Sequence, residues 1–195
     1  MTVELPTSIS RTDNTVMVAR ERGRHMGPSY AKANAPTSPL PELTGNDRPG
    51  HSPLSWLKNR NKCNQFVGDV LTLAGFAMPT FRMRDGSKHF MHAEALLDQT
   101  RYFKRVGRAA APGDLLIIDR PGRGENSAHV EIVTSVQASQ GTPTQLSTIA
   151  ALEAGVTERE RTSWFRGAKW IEAGGYFQLG AVKAFFLRPF ARREH

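Results

Sequence analysis

The sequence has a single cysteine, Cys63, among its 195 residues. A lone cysteine cannot form a disulfide within the chain, and it excludes zinc sites built from four cysteines. The sequence also lacks any apolar run near the roughly 18 residues that span a bilayer, so we expect no membrane span. Hydrophobic residues make up only 39% of the chain, which indicates that part of it is not packed into a core.

No secretion signal is visible at the start of the sequence. Its first eight residues, MTVELPTS, lack a basic segment followed by an apolar one. We therefore expect a chain that is made in the cytoplasm. It would need an export route other than a cleaved signal if it acts outside the cell.

Acidic residues are outnumbered, since 26 Lys and Arg against 18 Asp and Glu give a net charge of +8. Such a balance favours acidic partners, such as nucleic acid, an anionic membrane surface or carboxylate-rich peptides. The basic residues are scattered without interleaved aromatic residues and form no nucleic-acid motif. We therefore expect no nucleic-acid partner.

The lone cysteine lies at the start of a predicted helix, NKCNQFVGDVLTLAG (61–75). Apolar residues recur here with the 3.6-residue period of an amphipathic helix, and Gly75 ends it. Asn61 is the expected N-cap, which places Cys63 in the first turn near the buried stripe. The positive end of the helix dipole favours the thiolate, the nucleophilic form of cysteine. Cys63 is therefore a candidate nucleophile, although the helix alone equally allows a small buried hydrophobe.

A second stretch offers a partner for this thiol. The residues APGDLLIID (111–119) predict a turn into an apolar strand. A Gly-rich loop then leads to SAHVEIVT (127–134), a second strand rich in β-branched residues, which His129 opens. A thiol hydrolase uses these two residue types: the imidazole takes the thiol proton and later protonates the leaving amine.

Taken together, the KCNQFV helix, the PGDL turn and the AHVEIV strand resemble the papain-like CHAP and NlpC superfamily of cell-wall amidases and peptidases. Within it, the similarity is closest to peptidoglycan amidase effectors delivered by bacterial type VI secretion. The resemblance covers residues 52–134. It implies a papain-like fold and the pairing of Cys63 with His129, and we expect no metal or other cofactor.

A third group should orient the imidazole and hold its tautomer. Glu153 matches the place where CHAP-type relatives often carry a glutamate, and the resemblance favours it. Glu131 is a competitor because strand alternation puts it on the same face as His129. Asn126 and Ser127 are further alternatives.

Two asparagines flank the candidate nucleophile. The expected oxyanion donors are the backbone N–H of Cys63 and one more group from residues 59–62. We expect Asn61 and Asn64 to support this site, although Asn64 could equally serve only the start of the helix.

Three other polar residues are expected to have no catalytic role. Asp114 is expected to form a structural turn into its strand. His89 and His92 are expected on the surface or at the rim of the site, because no further metal ligands lie near them.

The rest of the chain predicts an α+β fold with N-terminal helices packed on an antiparallel sheet. Residues 1–50 are rich in Pro, Ser, Thr and Asn, and we expect an extended or flexible arm. Residues 51–195 form the predicted amidase or peptidase domain. It contains a short helix at 89–99 and strands at 102–106, 115–119, 128–136, 146–153 and 181–188.

The leading hypothesis is a peptidoglycan hydrolase that cuts an amide bond of the wall peptide, exported as an antibacterial effector into the periplasm of a target bacterium. Its partners would be peptidoglycan stem peptides, a cognate immunity protein and a component of the secretion machine. The alternative is a papain-like cysteine protease, deamidase or acyltransferase with an intracellular target. A third hypothesis is a basic binding module without catalytic activity.

Overall fold

The computed structural model describes residues 11–40, 43, 53–84, 86–122 and 127–192. Within them, eight strands form one sheet in the order β7–β6–β5–β4–β10–β9–β8, with β3 paired to β10, and β1 and β2 form a separate hairpin. All these pairings are antiparallel. The strands are β1 (Thr80–Arg82), β2 (Lys88–Phe90), β3 (Phe103–Arg105), β4 (Leu115–Asp119), β5 (His129–Ser139), β6 (Thr142–Leu152), β7 (Gly155–Glu160), β8 (Lys169–Ile171), β9 (Tyr176–Leu179) and β10 (Val182–Pro189).

Three α-helices accompany the sheet in the described part of the chain: α1 (Arg11–Met26), α2 (Cys63–Leu73) and α3 (Thr162–Gly167). Short 3-10 helices cover Gly27–Tyr30, Ser55–Leu57, Glu94–Asp98 and Glu172–Gly174. None of the described helices has the length and apolar character needed to cross a bilayer.

The central strand β4 is covered on both faces. Leu115 and Ile117 join the cluster that contains the buried side of α2, whereas Leu116 and Ile118 join the cluster that contains Phe165 of α3. A strand with two buried faces has no polar side, which explains why positions 115–118 are all apolar. The sheet therefore separates a layer containing α1 and α2 from a layer containing α3.

The α+β class predicted from the sequence is confirmed, and the predicted strands lie within a few residues of β3, β4, β5, β6 and β10. The predicted helix at 89–99 is wrong. Strand β2 extends to Phe90, and only the 3-10 helix Glu94–Asp98 follows. The apolar spacing there is real, since Ala93 and Leu96 are buried, but it supports a single 3-10 turn and not a full helix.

The expectation of an extended or flexible arm over residues 1–50 is wrong for residues 11–26. Residues 1–10, 41, 42 and 44–50 lie outside the described part of the chain. Residues 11–26 form α1, which contacts α2, β5 and β7. Few of its residues are apolar, and Val16 and Ala19 are the buried ones. Its Arg22 side chain instead binds the buried carboxylate of Asp69 on α2. This contact between distant parts of the chain leaves no periodic apolar signal in the sequence.

Candidate active site

Helix α2 begins at Cys63 and buries the stripe that the sequence predicted. Four residues of this stripe are fully buried, namely Phe66, Val67, Val70 and Leu71. The N-cap is Lys62, with no side-chain hydrogen bond to the helix, so the assignment of Asn61 as N-cap is wrong. Cys63 therefore occupies the first helical position, where backbone N–H groups have no partner within the helix.

The buried side chain of Lys62 anchors the start of α2. It is 2% exposed, and its ammonium donates hydrogen bonds to the carbonyl oxygens of Ala31, Lys32 and Arg60, each at 2.9 Å. Burial lowers the pKa of this ammonium, and nearby Lys32 adds to the effect. Lys62 thus ties the segment after α1 to the loop that leads into α2.

His129 is the first residue of β5, at the end of an inner strand of the sheet, where it meets the Cys63 thiol. The pair is enclosed, since Cys63 is 7% exposed and the His129 side chain is 16% exposed. The backbone N–H groups of Asn64 and Val130 also hydrogen-bond the sulfur. The predicted pairing of Cys63 with His129 is therefore present in the geometry.

This contact favours an ion pair of thiolate and imidazolium. Burial alone would raise the pKa of the Cys63 thiol, but the hydrogen bond and the charge of His129 bring it below its usual value. Burial alone would lower the pKa of His129, whereas its contacts with Cys63 and Glu131 raise it to about 9. Both shifts have the direction expected of an activated cysteine nucleophile.

Glu131 holds the other side of the imidazole. Its Oε1 lies 3.2 Å from His129 Nε2, a close ion pair that falls short of a well-aligned hydrogen bond. Strand alternation explains the contact, because residues two apart on β5 face the same side. Since Nε2 faces Glu131, Nδ1 is the ring nitrogen left for the thiol.

The Glu131 carboxylate is fully buried and surrounded by donors. Arg161 Nε donates to it at 2.9 Å, the Thr148 hydroxyl donates at 2.5 Å, and the terminal guanidinium nitrogens of Arg159 and Arg161 bind it as well. Burial alone would raise the pKa of Glu131, but His129 and Arg161 hold it far below its usual range. The carboxylate therefore stays charged beside the imidazole.

Glu153, the preferred third residue in the sequence, lies elsewhere. It belongs to the turn between β6 and β7, and its side chain is 86% exposed with its Oε1 3.9 Å from Lys32 Nζ. Among the described residues no ion pair joins it to His129. The choice of Glu153 is therefore corrected to Glu131, because a turn residue points to solvent while the neighbour on β5 shares the face of the histidine.

The remaining predicted site residues have different surroundings. Asn64 Nδ2 donates to the carbonyls of Phe90 at 3.1 Å and Met91 at 3.3 Å, so it anchors the end of β2 beside the nucleophile. Asn61 is exposed in the preceding loop. The Ser127 hydroxyl donates to the Arg120 carbonyl at 3.0 Å. The alternative Asn126 lies outside the described residues.

Asp114 has the structural role that the sequence predicted. Its carboxylate accepts the backbone N–H of Ala111 at 2.7 Å and a two-pronged contact from Arg188 at 2.8 and 2.9 Å. It thereby closes the turn into β4 and ties that turn to β10. Burial raises the pKa of this carboxyl group despite the Arg188 contact.

His89 and His92 belong to an aromatic cluster. The His89 ring stacks on Trp56 with centroids 3.5 Å apart, and Phe81 packs against both histidines. In the described ranges no group of three or more side chains could hold a metal ion.

Several residues of the site were not expected from the sequence: Lys62, Thr148, Arg159 and Arg161. Arg159 and Arg161 are two residues apart near the end of β7, which is the spacing for a shared face. That spacing was the available signal. The spacing alone does not show that these two arginines contact Glu131. That contact depends on the pairing of β7 with β6 and of β6 with β5.

Comparison of the chain with protein-family models, with curated proteins and with solved structures finds no match. The site must therefore be interpreted from its own geometry. An enclosed thiol at a helix N-terminus, an imidazole beside it and a buried carboxylate behind the imidazole form the arrangement of a nucleophile, a base and an orienting group.

Proposed function

We propose that the protein is a cysteine-dependent hydrolase that cleaves amide bonds. The observation that carries this proposal is the row of Cys63, His129 and Glu131, in which a polarised thiol, an imidazole and a carboxylate follow one another. The nucleophile helix packs against the sheet strand that bears the histidine. This arrangement is in keeping with the papain-like organisation that the sequence resemblance implies.

In the proposed reaction the Cys63 thiolate attacks the carbonyl carbon of the amide. The backbone N–H of Cys63 faces the developing oxyanion at the start of α2. The His129 imidazolium gives its proton to the amine as the C–N bond breaks, leaving a thioester. Water then attacks the thioester, with His129 accepting one of its protons. The carboxylic acid is released, and Cys63 leaves as the thiolate, which restores the thiolate–imidazolium pair. Acyl transfer to sulfur of this kind uses no metal.

The proposed substrate is the peptide part of bacterial peptidoglycan. Two observations support it: the sequence resemblance to cell-wall amidases and the net charge of +8, which favours a carboxylate-rich target. The corresponding biological role is an antibacterial effector that is exported into the periplasm of a target cell. A cognate immunity protein and a secretion-machine component would be its partners.

Mass spectrometry of purified peptidoglycan sacculi incubated with the protein tests the proposal. We expect new fragment ends whose masses identify the cleaved amide bond. These ends should vanish with Cys63→Ala and with His129→Ala, and should persist with Glu153→Gln, a matched change of an exposed carboxylate.

Intact sacculi after incubation with folded wild-type protein would overturn the peptidoglycan substrate. Labelling of Cys63 by a thiol-directed acylating probe, dependent on His129, would then favour the intracellular protease, deamidase or acyltransferase. Fragments that persist in Cys63→Ala would overturn the thiol mechanism itself.

A further inference from the structure

A small pocket lies between the sheet and α3, on the face of the sheet opposite to α2. Its volume is about 80 Å³. One water needs roughly 10–15 Å³ by this measure, so the pocket has room for about five non-hydrogen atoms. Apolar side chains of β4, β10 and α3 and two arginines line it, namely Leu116, Ile118, Val182, Ala184, Trp164, Phe165, Arg120 and Arg161.

The floor of this pocket is buried and its mouth is open to solvent. Leu116 and Ala184 are fully buried on the sheet, below the space that a ligand would occupy. The side chains of Arg120, Trp164 and Val182 are only half-buried. A small molecule can therefore reach the pocket from solvent without displacing the core.

The pocket adjoins the charged groups that hold the imidazole. Leu116 on β4 pairs with Glu131 on β5, and two residues further Ile118 pairs with His129. Side chains of residues paired in this way project to the same face and lie about 5 Å apart at Cβ. The pocket is therefore one strand away from Glu131 and lies behind the imidazole as seen from Cys63. A ligand there would contact the surroundings of His129 and would not contact the thiol.

Arg161 connects the pocket to the buried carboxylate. It lines the pocket, and its Nε and Nη2 bind Glu131. A guanidinium group has five N–H donors, so the contacts with Glu131 leave the two donors of Nη1 for a further acceptor. An acceptor bound in the pocket would thus share one guanidinium group with Glu131.

The charges around the pocket favour an anion as this acceptor. The single carboxylate of Glu131 faces the two guanidinium groups of Arg159 and Arg161, which leaves one positive charge in excess among the three. Arg120 adds another at the mouth of the pocket. A carboxylate pairs well with arginine, and a short alkyl chain attached to it would be buried on the apolar floor.

We propose that this pocket is a regulatory site for a small carboxylate with a short alkyl chain, which acts on His129 through Arg161 and Glu131. Propionate has the required charge and apolar part, and about the number of atoms that the pocket admits. This regulation rests on the proposed function, because it acts on the imidazole of the proposed catalytic pair.

The bound carboxylate should raise the pKa of His129. The groups that already act on the ring are Cys63 and Glu131, with Arg159 and Arg161 behind that carboxylate. A further negative charge favours the imidazolium. Since the ligand lies beyond Glu131 and not against the ring, the rise should be about half a unit, smaller than the roughly one to three units of a direct contact. Activity should then persist to a correspondingly higher pH.

An NMR titration of the labelled imidazole in the wild-type chain tests the proposal. Propionate should raise the pKa of His129 in a saturable manner, whereas propionamide, its uncharged analogue, should leave it unchanged. Chloride at the same ionic strength separates binding from screening. Arg120→Gln removes a cation of the pocket, and Val182→Phe fills the pocket from its half-buried rim. Each of these changes should abolish the response to propionate.

Lys183→Gln is the matched control. Lys183 neighbours Val182 but lies over the Tyr176 ring, so its loss should leave the response intact. Equal titrations with propionate and propionamide, a rise that chloride reproduces, or a rise that Val182→Phe does not change would overturn the regulatory site.

This titration needs no cleavage, so it separates the site from the proposed activity. A propionate-dependent shift in a chain that cleaves no amide would support the pocket and overturn only the hydrolase. Cleavage of sacculi by a chain in which propionate causes no shift would overturn only the pocket.

Discussion

Replacing Glu131 with glutamine should lower the pKa of His129. The carboxylate lies 3.2 Å from the ring, and an opposite charge at such a distance shifts a pKa by about one to three units. Since each unit corresponds to about 1.4 kcal/mol, the loss favours the neutral imidazole by about 1.4–4 kcal/mol. Arg159 and Arg161 remain nearby as cations and act in the same direction. The His129 pKa should therefore fall from about 9 toward neutrality.

The consequence for activity follows from the sign of this shift. In the proposed reaction His129 must be protonated when the amine leaves, so wild-type activity should decline only as the pH rises through about 9. In Glu131→Gln this alkaline decline should begin about one to three pH units lower. An NMR titration of the labelled imidazole measures the same pKa without a substrate. Glu153→Gln serves as the control and should leave the titration unchanged.

Folding of the variant needs its own check, because Glu131→Gln leaves two partly buried guanidinium groups without their carboxylate. Arg161→Gln provides an independent test, in which the pKa of His129 should shift in the opposite direction. It removes a cation from the neighbourhood of His129 and keeps the carboxylate, so the pKa of His129 should rise. A titration of His129 that is the same in the wild type and in both variants would refute the assignment of Glu131 as the group that stabilises the imidazolium.

Three further changes test the supports of the nucleophile helix by urea unfolding. Asp69→Asn should lower the unfolding free energy by about 3–5 kcal/mol, because the largely buried Arg22 loses its counter-charge. An unchanged urea midpoint would show that this ion pair does not contribute to stability. Lys62→Met should cost about 1–3 kcal/mol, since three carbonyls lose their donor, and stability equal to wild type would contradict its anchoring role. Gly68→Ala should cost about 1–3 kcal/mol, because the added Cβ would lie 2.4 Å from the Phe90 ring. A gain in stability, from the higher helix propensity of alanine, would instead show that the β1–β2 hairpin shifts to make room for the added methyl group.

The parts of the site that depend on local sequence were predictable. The buried stripe of α2 has helical spacing, and β5 is a β-branched run that His129 opens, so both elements of the candidate site leave a local signal in the sequence. Asp114 was predictable for the same reason, because the Pro-Gly-Asp turn is local. Local patterns of this kind predict the type of a secondary-structure element and the position of a residue within it.

The parts that depend on distant pairing were not predictable. Glu153 was preferred by resemblance, but its position in the tight turn between β6 and β7 turns its side chain toward solvent. Arg159 and Arg161 reach Glu131 only because β7 lies beside β6 and β6 beside β5. Helix α1 likewise depends on Arg22 reaching Asp69, and no periodicity within 11–26 encodes that contact.

His129 is the first residue of β5, and this position explains how one imidazole contacts groups from both layers of the fold. The thiol reaches it from the helix layer, where the cluster around α2 includes Cys63 and Val130. Glu131 reaches it from the opposite face, on which Leu116, its partner on β4, packs with Phe165. A histidine in the middle of the strand would have the sheet between itself and one of these groups. The end of the strand is therefore the place where a nucleophile and a buried carboxylate from different layers can act on the same ring.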